Sequence, residues 1–432
     1  MVEKERNDSK ESENKIKPGH GKRILLRTFG CQMNERDSEF VTGLFLEKGY
    51  KIADSPDKAN VIIFNTCSVR SHAEERAVSS MGQLMHRYKD KKIYAVAGCS
   101  AQALKGKLFE RLPELNIVCG TGEIARLPEL VKKIQEKRYE RRETGERGRG
   151  IKENIIAVDN IDSAFPEIKS EYREDRLHAY VSVMRGCNNF CSYCIVPYVR
   201  GKERSRNVRN ILDEIRALVK RGIRDITLLG QNVNSYKGII SPRISAGALN
   251  GKKSVDGKTE TCDFVQLLKI VNGIDGIEKM RFMTSHPKDA SIGLIKAIRD
   301  LDKAVKHLHL PLQSGSDRIL RLMNRGYTVE KYLDIIGAAR KIVPGLRFTT
   351  DIITGFPTET EKDFEATFRL MEKMEFDQAY IFKYSPRPGT RAGELEDDVP
   401  EEAKRRRHRE LLGLQREISG KKNEKNYYTS RD

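Results

Sequence analysis

Short β-branched runs alternate with amphipathic stretches along most of this sequence, and strands that return in parallel through helical crossovers build α/β layers. Over residues 22–136 the runs are 24–28, 61–64, 93–96 and 117–118, with helical periodicity at 38–48 and 73–88. A small parallel-sheet α/β domain is expected there. Residues 137–172 turn polar, with Arg141, Arg142, Arg147 and Arg149 among Glu and Gly, and read as a linker. Within 173–392, six strand runs begin near Ala179, Asp225, Lys279, His307, Arg347 and Gln378, each but the last followed by a helical pattern. Eight repeats close the standard barrel, so six predict a partial (β/α) barrel or a large open sheet. The Gly-, Ser- and Lys-rich stretch at 237–262 reads as a surface insertion. Residues 1–21 read as a disordered tail and 393–432 as a charged helical extension carrying Arg405, Arg406 and Arg407.

Composition narrows the partners. A formal net charge of +18, with 33% charged residues, favours a polyanion through counterion release, although a merely soluble basic protein fits the same balance. No run of about eighteen apolar residues exists to span a membrane. Eight cysteines in a long chain without a secretory signal point to a reducing cytoplasm, where metal binding or catalysis outranks a disulfide framework.

The densest chemical signal is Cys187-x-x-x-Cys191-x-x-Cys194, directly after the strand run at 179–183. Three thiolates on so short a loop can bind three irons of a cubane cluster and leave one iron open to a cofactor or substrate. A structural zinc site would want four closed ligands, and no second pair is visible. A second set is distributed: Cys31, Cys67 and Cys99 each end a strand run, about one strand-helix repeat apart. Ligands of open α/β sheets gather at the carboxyl ends of strands, so these thiols can converge on one object. The competing reading is three buried small hydrophobes, which would place them within strands rather than in the loops after them. Cys119 reads as core and Cys262 as a free thiol.

These residues resemble the radical S-adenosylmethionine superfamily, and more closely its methylthiotransferase family, over about 22–391. The Cys187, Cys191, Cys194 loop matches the superfamily motif, and Cys31, Cys67 and Cys99 match the family's auxiliary-cluster ligands. Thr28-Phe29-Gly30-Cys31-Gln32-Met33-Asn34, Asn65-Thr66-Cys67-Ser68-Val69-Arg70 and Pro197-Tyr198-Val199-Arg200-Gly201-Lys202-Glu203-Arg204-Ser205-Arg206 look like the branch acting on N6-isopentenyladenosine next to the anticodon of tRNA. The resemblance implies two [4Fe-4S] clusters, with S-adenosylmethionine at the open iron of the Cys187 cluster. It implies that an injected electron cleaves S-adenosylmethionine, that the deoxyadenosyl radical takes hydrogen from C2 of the adenine, and that a methylated sulfur held at the auxiliary cluster is transferred to that carbon. The implied partners are tRNA, an external electron donor and a sulfur source; a monomer is expected. Family members usually continue into a small C-terminal β-barrel that binds RNA, and here that barrel is expected to be absent.

Other segments carry weaker signals. Gly230, Gln231 and Asn232, and Gly355 in the turn after the fifth barrel strand, sit where cofactor contacts concentrate; Gly355 is equally a plain turn residue. Arg200, Lys202, Arg204 and Arg206, beside the cysteine loop, either grip RNA phosphates or form a solvated loop. Two rivals stand beside the main reading. One is a sister methylthiotransferase acting on a threonylcarbamoyl adenosine in tRNA or on a ribosomal-protein aspartate. The other is a non-catalytic metal- and RNA-binding protein.

Overall fold

The computed structural model describes residues 21–68, 71–144, 153–161, 172–240 and 260–429. The expected tail apart from Gly21, most of the 237–262 insertion, and 145–152 and 162–171 of the expected linker lie outside the described residues.

The first domain is a six-stranded parallel sheet: β1 (Arg23–Phe29), β2 (Lys51–Ile52), β3 (Val61–Thr66), β4 (Ile93–Gly98), β5 (Ile117–Cys119) and β6 (Ile155–Ala157), in the order β2-β1-β3-β4-β5-β6. Every residue of β3 and β4 is buried, because apolar clusters cover both faces of the sheet. That is why these strands read as continuous apolar runs rather than as alternating ones. The strand order reverses between β1 and β3, which makes a crevice at their carboxyl ends. Cys31 follows β1 and Cys67 follows β3.

The polar stretch 137–172 departs from the expectation of a linker. The helix Leu127–Glu143 runs into it, and β6 within it pairs with β5 as the sheet's outer strand. The four-residue apolar run Ile155 to Val158, set in a polar stretch, is too short to register as a strand in the sequence.

The second domain builds its strands in the expected order: β7 (His178–Ser182), then the two-residue strands β8 (Met184–Arg185) and β9 (Arg204–Ser205), then β10 (Asp225–Leu229). A hairpin of β11 (Lys237–Ile240) and β12 (Glu260–Asp263) follows, and then β13 (Lys279–Phe282), β14 (His307–His309), β15 (Arg347–Thr354) and β16 (Gln378–Lys383). Parallel ladders join β7-β10-β13 and β14-β15-β16. The segment before β14 links the two, because Met280 N–H donates to Lys303 O at 2.7 Å and Met280 O accepts from Val305 N–H at 3.0 Å. The result is the expected six-stranded arc. Its outer helices carry a single apolar face, as in Val208–Lys220, where Val208, Ile211, Leu212, Ile215 and Leu218 are buried at helical spacing. The flanks of the insertion, expected to lack regular structure, form the β11–β12 hairpin, and Cys262 on β12 is buried in the core.

The C-terminal helix Glu401–Thr429 is part of this domain, not an extension from it. Leu411, Leu414 and Ile418 join the main apolar core, and Arg407 is buried against Glu359 at 2.8 Å. Among the described residues no helix is long and apolar enough to cross a membrane.

Candidate active site

The cysteine loop hangs from a short ladder. β8 and β9 pair antiparallel through Met184↔Ser205 and Arg185↔Arg204, and residues 186–203 project between them. Gly186 turns with φ of +77°, and a Cβ there would overlap the Lys202 carbonyl, so glycine alone lets the arms close. Cys187 N–H donates to Gly201 O at 3.2 Å and Cys194 N–H to Cys191 O at 2.9 Å. Cys187 and Cys191 are buried, Cys194 partly so. Burial pushes the Cys187 thiol up to about 11, and burial together with Cys191 pushes Cys194 up to about 12. Such thiols ionise when a metal takes them as ligands.

Residues 323–325, after the helix Asp317–Leu322, brace the loop from behind. Ser192 N–H donates to Met323 O at 3.0 Å, and the Asn324 amide donates to the carbonyls of Asn189 at 3.3 Å and Phe190 at 3.0 Å. Arg325 Nη1 donates to Cys191 Sγ and to Tyr193 Oη, each at 3.3 Å. Phe190 adopts φ of +46° and leaves its ring 43% exposed beside that of Tyr198, 44% exposed, with centroids 6.1 Å apart. Sequence reading missed this brace, since the residues that meet lie more than 130 positions apart.

Past the carboxyl ends of β10, β13 and β14, Asn232 Oδ1, Ser285 Oγ, His286 Nε2 and Gln313 Oε1 are buried without a hydrogen-bond partner. His286 Nδ1 accepts from Lys288 N–H at 3.2 Å, which puts the ring proton on Nε2. Burial, with Arg325 and Lys288 nearby, lowers that imidazole to about 2, so the ring is neutral. Each orphaned atom costs about 1–3 kcal/mol unless a ligand satisfies it. Of the residues singled out in the sequence, Gln231 accepts from Gly186 N–H at 2.6 Å and so ties this rim to the cysteine loop. Asn232 donates to Asp289 at 2.8 Å with its oxygen left open. Gly230 packs against Met184. Gly355 donates to Glu359 at 2.6 Å and lies against the Lys404 stem.

The second triplet sits at the crevice of the first sheet. Cys31 caps the helix Gln32–Glu47, Cys67 directly follows β3, and Cys99 opens the helix Cys99–Leu104. Gly30 lies so close to Cys67 that a Cβ there would overlap the cysteine's own. Asn65 Nδ2 holds the turn by donating to Asn34 O at 2.8 Å and Ser38 Oγ at 2.9 Å. A hydrogen bond from Cys67, the Arg200 charge and helix N–H groups outweigh burial and lower the Cys31 thiol to about 5, whereas burial raises Cys99.

The helix Val196–Arg200, directly after Cys194, joins the two triplets. Ile195 and Val199 pack on Cys99, and the Thr121 hydroxyl donates to the Val199 carbonyl. Arg200 reaches across to Asn34 Oδ1 and Asp37 Oδ2, each at 3.0 Å. Among the described residues no three His, Cys, Asp or Glu side chains are gathered tightly enough to hold one metal ion. A cubane asks for something different, one thiolate on each of three irons.

Two family models match the chain: the Radical SAM superfamily over residues 181–371 and Uncharacterized protein family UPF0004 over 23–120. The boundaries enclose one triplet each. The chain is 43% identical to the tRNA-2-methylthio-N(6)-dimethylallyladenosine synthase of Clostridium novyi (strain NT), over 95% of this chain and 85% of that protein. It is 44% identical to the same-named protein of Caldicellulosiruptor saccharolyticus, over 96% and 82%. The chain belongs to this synthase family. Solved structures extend the likeness to the fold. The radical S-adenosylmethionine methyltransferase TsrM of Kitasatospora setae matches with a TM-score of 0.54 at 12% identity, over 86% of this chain and 75% of that one. The cobalamin-dependent radical enzyme OxsB matches at 0.53 and 12%, over 93% and 56%.

Within this synthase fold, neither of the two readings left open for Arg200, Lys202, Arg204 and Arg206, a grip on RNA phosphates or a solvated loop, fits all four residues. Arg200 is buried on Asp37, and Arg206 is buried against Glu214 at 2.7 Å with a further bond to Ser182 O at 2.7 Å. Arg204 is partly buried and donates to Ile161 O at 3.1 Å. Lys202 alone of the four is exposed. Burial absorbs the Arg200 and Arg206 charges into domain packing, where a phosphate has no access. A cavity of about 730 Å³ is lined by Glu35, Glu39, Glu174 and His178 among others, and its acidic rim does not suit RNA.

Proposed function

We propose that this protein methylthiolates C2 of N6-dimethylallyladenosine in tRNA. In this reading Cys187, Cys191 and Cys194 hold one [4Fe-4S] cluster, and Cys31, Cys67 and Cys99 hold the auxiliary one. The observation that carries the reading is the arrangement of two strand-end cysteine triplets about the single helix Val196–Arg200. The donor sets fit: three thiols each, with the fourth position left to a non-protein ligand.

When bound, the clusters and S-adenosylmethionine supply the electron, the hydrogen-abstracting radical and the methylthio group. The protein's own groups position and shield. Asn232 Oδ1, Ser285 Oγ, His286 Nε2 and Gln313 Oε1 would satisfy polar groups of S-adenosylmethionine, which explains why they are buried without partners. Gln231 and residues 323–325 fix the cysteine loop against that rim. Phe190 and Tyr198 present aromatic faces at the loop surface, where unstacked bases of an RNA loop can stack, and exposed Lys202 adds charge. The electron donor and the sulfur source are separate molecules, and the protein acts as a monomer in the cytoplasm.

Replacing Cys31, Cys67 and Cys99 by Ala separates the two roles. Deoxyadenosine formation from S-adenosylmethionine should persist while the methylthio product disappears. Loss of both activities, with the remaining cluster fully assembled, would contradict the division of labour.

A further inference from the structure

Arg325 is only 4% exposed, and its partners are unusual for a buried guanidinium. Nη1 donates to Cys191 Sγ and Tyr193 Oη at 3.3 Å, Nη2 to Pro311 O at 3.2 Å and Nε to Tyr327 Oη at 3.1 Å. None is a carboxylate. Among the described residues the other buried arginines, Arg36, Arg173, Arg185, Arg200, Arg206 and Arg407, each have a carboxylate oxygen within 3.0 Å. A buried charge without a counter-charge is strongly disfavoured. A guanidinium nevertheless stays protonated at any physiological pH. The one partner able to carry a full negative charge at neutral pH is Cys191, once its sulfur is ligated to iron.

We propose that Arg325 is the counter-charge of the cluster held by Cys187, Cys191 and Cys194, and that its hydrogen bond to the Cys191 sulfur raises that cluster's reduction potential. A fixed cation and an N–H aimed at a ligating sulfur both stabilise an added electron. Tyr327 sets the geometry: its hydroxyl accepts from Arg325 Nε and donates to Leu312 O at 2.7 Å, so the guanidinium cannot swing away. Arg325 touches no reacting atom in this scheme. It is a positioning residue that acts through Cys191, and the inference rests on the ligand assignment made above.

The test is an EPR-monitored redox titration of the reconstituted full chain carrying Cys31→Ala, Cys67→Ala and Cys99→Ala, so that one cluster gives the signal. Arg325→Gln keeps a polar side chain and removes the charge. At the parent's midpoint potential, the ratio of reduced to oxidised cluster should fall at least tenfold, which is about 59 mV for a one-electron couple. Arg325→Lys retains the charge and should stay within threefold of the parent. A Gln variant with complete iron and the parent's midpoint would overturn the proposal, as would a Lys variant that falls as far as Gln. A parent without any reduced-cluster signal would instead sink the ligand assignment itself.

Discussion

Single residues decide how the two triplets are held together, and Asp37 is the clearest case. It is buried, accepts from Arg185 at 2.5 Å and forms an ion pair with Arg200 at 3.0 Å, one guanidinium from β8 and one from the helix after Cys194. Asp37→Ala would remove the carboxylate that pairs with both buried guanidiniums, so the iron-free protein should lose about 3–5 kcal/mol, read from the midpoint of urea unfolding. A loss below about 1 kcal/mol would mean that water reaches these groups. At this scale the sequence is only partly legible. The six cysteines announce themselves, because spacing and position at strand ends are local properties. The fates of Arg200 and Arg206 are not local: Arg200 finds its bond to Asn34 across 166 positions. A run of basic residues on a loop looks the same in sequence whether the charges face RNA or a buried aspartate.

Among the elements, the strands and helices of both domains are legible, since fully buried parallel strands give unbroken apolar runs and outer helices a one-faced stripe. The failures are short or thinly apolar elements. β6 has three residues, and its pairing with β5 supplies what its own sequence lacks. The helix Glu401–Thr429 reads as charged because its buried face is narrow: Lys404, Arg407, Leu411, Leu414 and Ile418 fall at helical spacing while most neighbours are charged. Leu411 is fully buried in the main core. Leu411→Ala should therefore cost about 2–5 kcal/mol of unfolding free energy. An effect within about 0.5 kcal/mol, typical of a surface site, would show that the helix is a loose extension after all.

At the scale of the whole molecule, a buried ion-pair cluster locks the domains together. Glu214 of the barrel domain gathers Arg36 at 3.0 Å from the first domain, and Arg173 and Arg206, each at 2.7 Å, from its own domain. Those three cations hold the Glu214 carboxyl below its usual range against the pull of burial. The two triplets nevertheless belong to different folding elements, which predicts two independent metal centres. Cys187→Ala, Cys191→Ala and Cys194→Ala combined should leave about half the iron of the reconstituted protein. Complete loss, or none, would argue against separate sites. The central claim, that this pair of centres methylthiolates an adenosine of tRNA, is tested most directly by nucleoside mass spectrometry. tRNA bearing N6-dimethylallyladenosine is incubated anaerobically with the reconstituted protein, S-adenosylmethionine, a reductant and sulfide. The expected result is loss of that nucleoside and appearance of its 2-methylthio derivative; an unchanged nucleoside with both clusters assembled would contradict the account.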